Sequence, residues 1–137
     1  MDNVTGPSMY LRLAERQSSM EGFAYFHFPE SIAPATAELA EWLADDSRKK
    51  PVMLDVRQPW EFALCHLPGS LHIPMHLVPL RSNELKRDEA IVVICHHGWR
   101  SKQVAIFLEQ QGFTSVINLE GGVAGWADQV DSDFPRY

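Results

Sequence analysis

The sequence has 137 residues, of which 45% are hydrophobic and 22% are charged, which is typical of a soluble globular protein with one domain. Its 12 basic and 18 acidic residues give a net charge of −6, which argues against a nucleic-acid partner. No apolar run is long enough to cross a membrane, and the N-terminus does not resemble a signal peptide. We therefore expect a cytoplasmic protein without membrane contact, in which Cys65 and Cys95 are reduced thiols.

The first 30 residues are interpreted as an N-terminal extension ahead of one domain at residues 31–137. Residues 9–20 are compatible with a short helix. Residues 22–29, with the sequence GFAYFHFP, are dense in aromatic side chains. This segment either lies extended on the domain or takes part in an oligomer contact, and the sequence favours neither alternative.

From residue 31 onward, predicted helices and strands alternate along the chain. Short apolar runs predict strands at residues 51–56, 70–74, 91–94 and 114–119. Helices are predicted at residues 34–46, from Pro59 to the Pro-Gly turn at 68–69, at residues 102–111 before Gly112, and within residues 120–130. The strand runs are continuously apolar, so the fold class is predicted as α/β, with a central parallel sheet flanked by helices on both faces.

The most informative stretch is VVICHHGWRS, residues 92–101, in which a buried strand ends on Cys95. Ligands bind at the carboxyl ends of parallel strands, and the N-terminus of the following helix favours an anion. Its free N–H groups and dipole are expected to stabilise a thiolate at Cys95. Gly98 permits a tight or left-handed turn, and Arg100 adds a fork of donors suited to an oxyanion. We therefore predict an anion-binding loop with a sulfur nucleophile at its base.

Four motifs in order make the chain resemble a single-domain rhodanese, a sulfurtransferase, over residues 31–130. They are LDVRQPWEF at 54–62, HLPGSLHIP at 66–74, VVICHHGWRS at 92–101 and NLEGGVAGW at 118–126. The resemblance implies a rhodanese-like fold without a metal or an organic cofactor. It also implies that Cys95 takes sulfane sulfur from a donor such as thiosulfate as a persulfide, and passes it to cyanide or a thiol.

The resemblance assigns roles to individual side chains around Cys95. The loop that surrounds the sulfur is formed by His96, His97, Gly98, Trp99 and Arg100. Arg57 matches an arginine that, in some family members, lies near the active site and helps to hold an anionic donor, and Asp55 matches an acid that organises this region. From the residues alone, Arg57 could equally pair with Asp55 or Glu61 on the surface. Ser101 is expected to cap the following helix rather than to touch the substrate.

Other residues carry predictions that the structure can examine. Cys65 replaces a glycine that is common in the second motif, and we expect a buried structural thiol rather than one that resolves the Cys95 persulfide. His66 and His72 are expected to bond the backbone. Trp60 and Trp126 are expected at core positions of their helices. The roles of His96, His97 and Trp99 stay open between substrate or partner contact and no direct part in the chemistry.

Two other functions are compatible with these motifs, namely a phosphatase or arsenate reductase on the same fold and a persulfide relay module. The loop from Cys95 to Arg100 has six residues, one fewer than in phosphatases of the same fold, which favours sulfur over phosphate or arsenate. A persulfide relay module for protein partners is the stronger alternative, and Trp99 with the aromatic N-terminal segment would then form the docking surface. The acidic net charge slows the approach of a small anionic sulfur donor and therefore favours a protein as the donor or acceptor in the cell. We expect a small anionic sulfur donor to be used in addition.

Overall fold

The structure is a computed structural model that describes residues 35–137. The interpretations of segments 9–20 and 22–29 lie outside the described residues. No helix in the described range is long and apolar enough to cross a membrane.

Helices and strands alternate as the sequence predicts. The helices are α1 (Ala35–Ala44), α2 (Pro59–Leu64), α3 (Val78–Arg81), α4 (Trp99–Gln110) and α5 (Gly122–Gln129). The strands are β1 (Val52–Asp55), β2 (Leu71–His72), β3 (Ile91–Ile94) and β4 (Val116–Asn118). Short 3₁₀ turns at Met75–Leu77 and Ser82–Glu84 flank α3. The prediction for α4 was wrong at its start, because the helix begins at Trp99 rather than at residue 102.

All four strands run parallel in one sheet of order β2-β1-β3-β4. In the central pair, Asp55 of β1 lies opposite Ile94 of β3. In the outer pair, Val93 lies opposite Asn118 of β4. The register therefore brings Asp55, Asn118 and the residue after Ile94 to the same carboxyl edge of the sheet, where ligands bind in such folds.

The sheet separates two apolar clusters, so the predicted α/β fold with helices on both faces is confirmed. Val92 and Ile94 belong to the cluster that α1 and α5 cover through Trp42 and Trp126. The other two β3 residues, Ile91 and Val93, belong with Cys95 to the cluster that α4 covers through Leu108. Alternation along a fully buried strand thus distributes its side chains between two cores.

The two tryptophans predicted to be core residues differ in the structure. Trp126 of α5 is buried as expected, whereas Trp60 of α2 is 63% exposed. The short helix α2 turns Glu61 toward the interior instead, and the Glu61 carboxylate also accepts the backbone N–H of Gln58 at the helix start. The prediction for Trp60 was wrong because α2 buries a carboxylate beside the sheet edge rather than an aromatic ring.

Candidate active site

Cys95 follows β3 directly and has only 1% of its surface exposed. Its Sγ accepts the backbone N–H of Gly98 at 3.0 Å and lies 3.2 Å from Oγ of Ser101. Ser101 in turn donates its hydroxyl proton to Oδ1 of Asn118, while the Asn118 amide donates to the Gly98 carbonyl. The sulfur is therefore held at the base of a short loop, between one backbone donor and one hydroxyl.

The prediction that Ser101 caps α4 was wrong. Gly98 occupies the cap position with φ of 111°, in the left-handed region that favours glycine, and the helix begins at the next residue. This turn places Ser101 in the first helical turn, fully buried and facing Cys95. Gly98 thus makes the left-handed turn expected from the sequence, and it brings Ser101 to the sulfur.

The loop backbone is fixed to the first turn of α5. The carbonyl oxygens of Cys95 and His96 accept the N–H groups of Val123 and Ala124 at 2.9 and 3.0 Å. Gly122, at φ of 56°, is packed so closely that a Cβ atom there would overlap both carbonyl oxygens. The close approach of two backbones is the physical reason for glycine at this position.

Arg100 lies in the first turn of α4 and forms a forked ion pair with Glu61 of α2. Its Nη1 and Nη2 donate to Oε1 and Oε2 of Glu61 at 2.6 and 3.0 Å. The hydrogen bond from Arg100 is the main cause that lowers the pKa of Glu61 to about 2. The Arg100 side chain remains 32% exposed, so the cation stays at the mouth of the loop with its charge partly balanced.

Arg57 occupies a different position from the one the sequence suggested. Its side chain is completely buried rather than at the surface, and it makes a forked ion pair with Asp55 at 2.8–3.1 Å. The remaining guanidinium N–H groups are directed at the Cys65 carbonyl, the Cys65 sulfur and the Tyr137 hydroxyl. Since these donors are directed at protein atoms, the geometry favours a structural pair over contact with a sulfur donor.

The remaining loop side chains divide into one packed and two exposed residues. The His96 ring stacks on Tyr137 with centroids 4.0 Å apart, and its other neighbour is the His97 ring, also at 4.0 Å. Burial, followed by the charge of His97, lowers the pKa of His96. His97 is exposed, and Trp99, where α4 begins, is 73% exposed.

The model of the rhodanese-like domain family matches residues 37–129 of the chain. The chain belongs to the rhodanese-like family. The protein named "Sulfurtransferase" from Allochromatium vinosum is 40% identical over 89 residues, which are 65% of this chain and 81% of that protein. Thiosulfate sulfurtransferase GlpE from Stutzerimonas stutzeri is 37% identical over 82 residues, which are 60% and 75% of the two chains. Sulfur transfer in general is the activity that these relatives support.

The fold is also that of solved rhodanese-like structures. The crystal structure of a rhodanese-like domain protein from Staphylococcus aureus superposes with a TM-score of 0.64 at 30% sequence identity. The match covers 74% of this chain and 94% of the other. The resemblance stated from four sequence motifs is therefore confirmed.

The sequence did not predict the contacts that three residues make in this rhodanese-like site. Glu61 appeared only as an alternative partner of Arg57, although it pairs with Arg100. Asn118 opens the fourth motif, at the carboxyl end of β4, and this position could have identified it as a residue of the sheet edge. Tyr137 carries no motif, so no sequence signal connected it to the site.

Cys65 is buried, and His66 and His72 bond the backbone, as the sequence predicts. Cys65 is buried and free, with its sulfur 3.8 Å from the Pro135 carbonyl oxygen. The His66 ring bonds the Phe62 carbonyl oxygen, and the His72 ring bonds that of Arg57, each at 2.8 Å. These contacts give all three side chains structural partners.

Proposed function

We propose that this protein transfers sulfane sulfur from a small anionic donor such as thiosulfate to cyanide or a thiol, through a persulfide on Cys95. The observation that carries the proposal is the placement of the Cys95 sulfur, 3.0 Å from the Gly98 nitrogen, at the start of a helix that bears Arg100. A buried thiol in this position combines a nucleophile with donors for an anion.

The proposed reaction has two half-reactions. The Cys95 thiolate attacks the outer sulfur of thiosulfate, a sulfur–sulfur bond forms at Cys95, and the bond to sulfite breaks so that sulfite leaves with its electron pair. Cyanide or an acceptor thiolate then attacks the outer sulfur of the persulfide and regenerates the Cys95 thiolate, which gives thiocyanate or an acceptor persulfide. The covalent intermediate predicts ping-pong kinetics.

The surrounding groups support both steps. The Gly98 N–H stabilises negative charge on sulfur, and the N-terminal end of α4 adds a favourable dipole. The Ser101 hydroxyl donates a hydrogen bond to Asn118 in the resting site, and it lies close enough to Cys95 to donate instead to the ionised sulfur. Arg100 presents its exposed edge to the sulfonate end of the donor. His97 and Trp99 are exposed on the loop, and the His96 ring packs on Tyr137 beside it.

The proposal extends to the organisation of the chain and to its environment. The family match supports a domain over residues 31–137, with residues 1–30 as an extension. The free thiols of Cys65 and Cys95 fit a reducing compartment such as the cytoplasm, which keeps Cys95 available as a nucleophile.

A thiosulfate-to-cyanide assay tests the proposal, together with the intact mass after treatment with thiosulfate alone. The wild type is expected to gain one sulfur atom and to form thiocyanate, whereas Cys95→Ser does neither, because a hydroxyl cannot form the persulfide. Cys65→Ser is the matched control and keeps both signals. Absence of the mass gain in the wild type, or its persistence in Cys95→Ser, would contradict the proposed reaction.

A persulfide relay between proteins is a second candidate. It is favoured by Trp99 and Trp60, which are 73% and 63% exposed on the two helices joined by the Arg100–Glu61 pair. Exposed aromatic side chains are typical of protein contact sites. A relay would load Cys95 in the same way but transfer sulfur to a protein thiol far faster than to cyanide, and this ratio of rates separates the two functions.

A further inference from the structure

Tyr137 joins the polar network of the site although it lies beyond the segment that the family model matches, which ends at residue 129. Its hydroxyl donates to Oε2 of Glu61 at 2.8 Å and accepts an N–H of Arg57 at 2.8 Å. Its ring lies nearly parallel to that of His96, with an angle of 9° between the planes. One side chain therefore contacts both ion pairs and the active-site loop.

The segment after α5 holds Tyr137 in this position through its own contacts. Phe134 is buried in the cluster formed with α1 and α5. Arg136 donates to the Ala127 carbonyl oxygen at 2.8 Å and lies 3.2 Å from the Asp128 carboxylate. The Trp60 and Tyr137 rings pack in a T-shaped arrangement with centroids 5.7 Å apart. The segment is thus anchored immediately before the tyrosine and at the tyrosine ring itself.

The hydrogen bonds give the Tyr137 hydroxyl a defined direction. Burial raises the pKa of Tyr137 to about 12, so the phenol keeps its proton at neutral pH. The only proton is donated to Glu61, since the guanidinium of Arg57 can donate and cannot accept. Arg57 is itself fixed by its forked pair with Asp55. The buried ion pair therefore holds the tyrosine, and the tyrosine holds Glu61.

Glu61 transmits this constraint to the mouth of the loop. Oε1 accepts from Gln58 and Arg100, and Oε2 accepts from Arg100 and Tyr137. With Tyr137 in place, the plane of the carboxylate is fixed from both ends, and the planar fork of Arg100 must align with it. Loss of the phenol removes one of the two anchors that set the orientation of Arg100.

We propose that Tyr137 is a positioning residue for the sulfur donor, which acts by orienting Glu61 and, through it, Arg100. This inference rests on the proposed function, in which Arg100 meets the anionic end of thiosulfate. Tyr137 itself does not take part in the sulfur chemistry. Its removal therefore weakens donor binding and leaves the reactivity of Cys95 in place.

Tyr137→Phe tests this inference, because it removes the hydroxyl and keeps the ring that stacks on His96. The KM for thiosulfate is expected to rise about fivefold, with kcat changed less than twofold, as for the loss of one hydrogen bond that serves binding. In the Arg100→Gln background, the same substitution is expected to change KM less than twofold, because the guanidinium group that Tyr137 orients through Glu61 is absent. Thermal melting of each variant confirms that it is folded at the assay temperature.

The outcomes distinguish this inference from the proposed function. If the wild type gains no sulfur from thiosulfate, the proposed function fails. If the wild type turns over and Tyr137→Phe leaves KM unchanged, or raises KM equally in the Arg100→Gln background, the positioning role is wrong. Tyr137→Leu, which lacks the hydroxyl and fills part of the apolar space, replaces Tyr137→Phe in the same comparison if that variant melts below the assay temperature.

Discussion

Two forked arginine–carboxylate pairs lie on either side of Tyr137, and their surroundings differ. Asp55 and Arg57 are both fully buried beneath the sheet edge. Glu61 is also buried, but its partner Arg100 has 32% of its side chain exposed at the mouth of the loop. The same chemical pair is thus enclosed by protein at Arg57, whereas at Arg100 it presents a cation with one side open to solvent. Burial, rather than residue type, separates the enclosed arginine from the one that is open to solvent.

The largest expected effect comes from breaking the interior pair. Arg57→Gln leaves the Asp55 carboxylate buried without its cation, so the free energy of unfolding is expected to fall by about 3–5 kcal/mol. Urea unfolding followed by tryptophan fluorescence measures this loss. The matched control is Arg81→Gln, which breaks the exposed pair between Arg81 and Glu84, whose atoms are 2.8 Å apart, and is expected to leave the free energy of unfolding almost unchanged because solvent screens the pair. Equal losses in the two variants would show that burial does not set the difference.

The pH dependence of stability measures the contribution of the second ion pair, between Glu61 and Arg100. The pKa of Glu61 is lowered from 4.5 to about 2, so the ionised carboxylate stabilises the fold fully above pH 4.5 and progressively less as the pH falls toward 2. The difference in unfolding free energy between the wild type and Glu61→Gln is therefore expected to shrink by about 2 kcal/mol between pH 6 and pH 3. Urea midpoints at the two pH values measure it, and a constant difference would contradict the ion pair with Arg100.

A smaller effect, on function more than on stability, is expected at the mouth. Arg100→Gln removes the exposed cation, and the KM for thiosulfate is expected to rise about tenfold as a charge-assisted contact is lost. Its loss of unfolding free energy is expected to be well below that of Arg57→Gln, because Glu61 keeps its hydrogen bonds from Gln58 and Tyr137. Steady-state kinetics and urea unfolding of both variants test whether Arg100→Gln mainly raises the KM and Arg57→Gln mainly lowers the free energy of unfolding. An unchanged KM in Arg100→Gln would remove Arg100 from donor binding.

Local sequence signals predicted most of the fold. The continuous apolar run of β3, the proline at the start of α2 and the glycine before α4 each act within a few residues, so their effects are readable from sequence. The prediction failed where two local signals competed. Ser101 has the chemistry of a helix cap, but the left-handed turn at Gly98 begins the helix earlier and turns the hydroxyl to the sulfur.

The contacts of the site could not be predicted in the same way, because they depend on distance in the chain. Glu61 meets Arg100 across 39 residues and Tyr137 across 76. Only the packing of α2, α4 and the C-terminal tail against one sheet edge brings them together. The sequence motifs placed Cys95 and its loop, whereas the partners that fix the loop arginine required the tertiary structure.

The backbone contact at Gly122 has a consequence for protein engineering. The carbonyl groups of Cys95 and His96 are held by the amides of Val123 and Ala124, which belong to a different part of the chain. Residues 95–100 are therefore not a transferable module, because their shape is completed by a second segment. A graft of this loop onto another scaffold would have to include the glycine turn at 121–122 and the start of α5, placed in the same register beside the recipient strand.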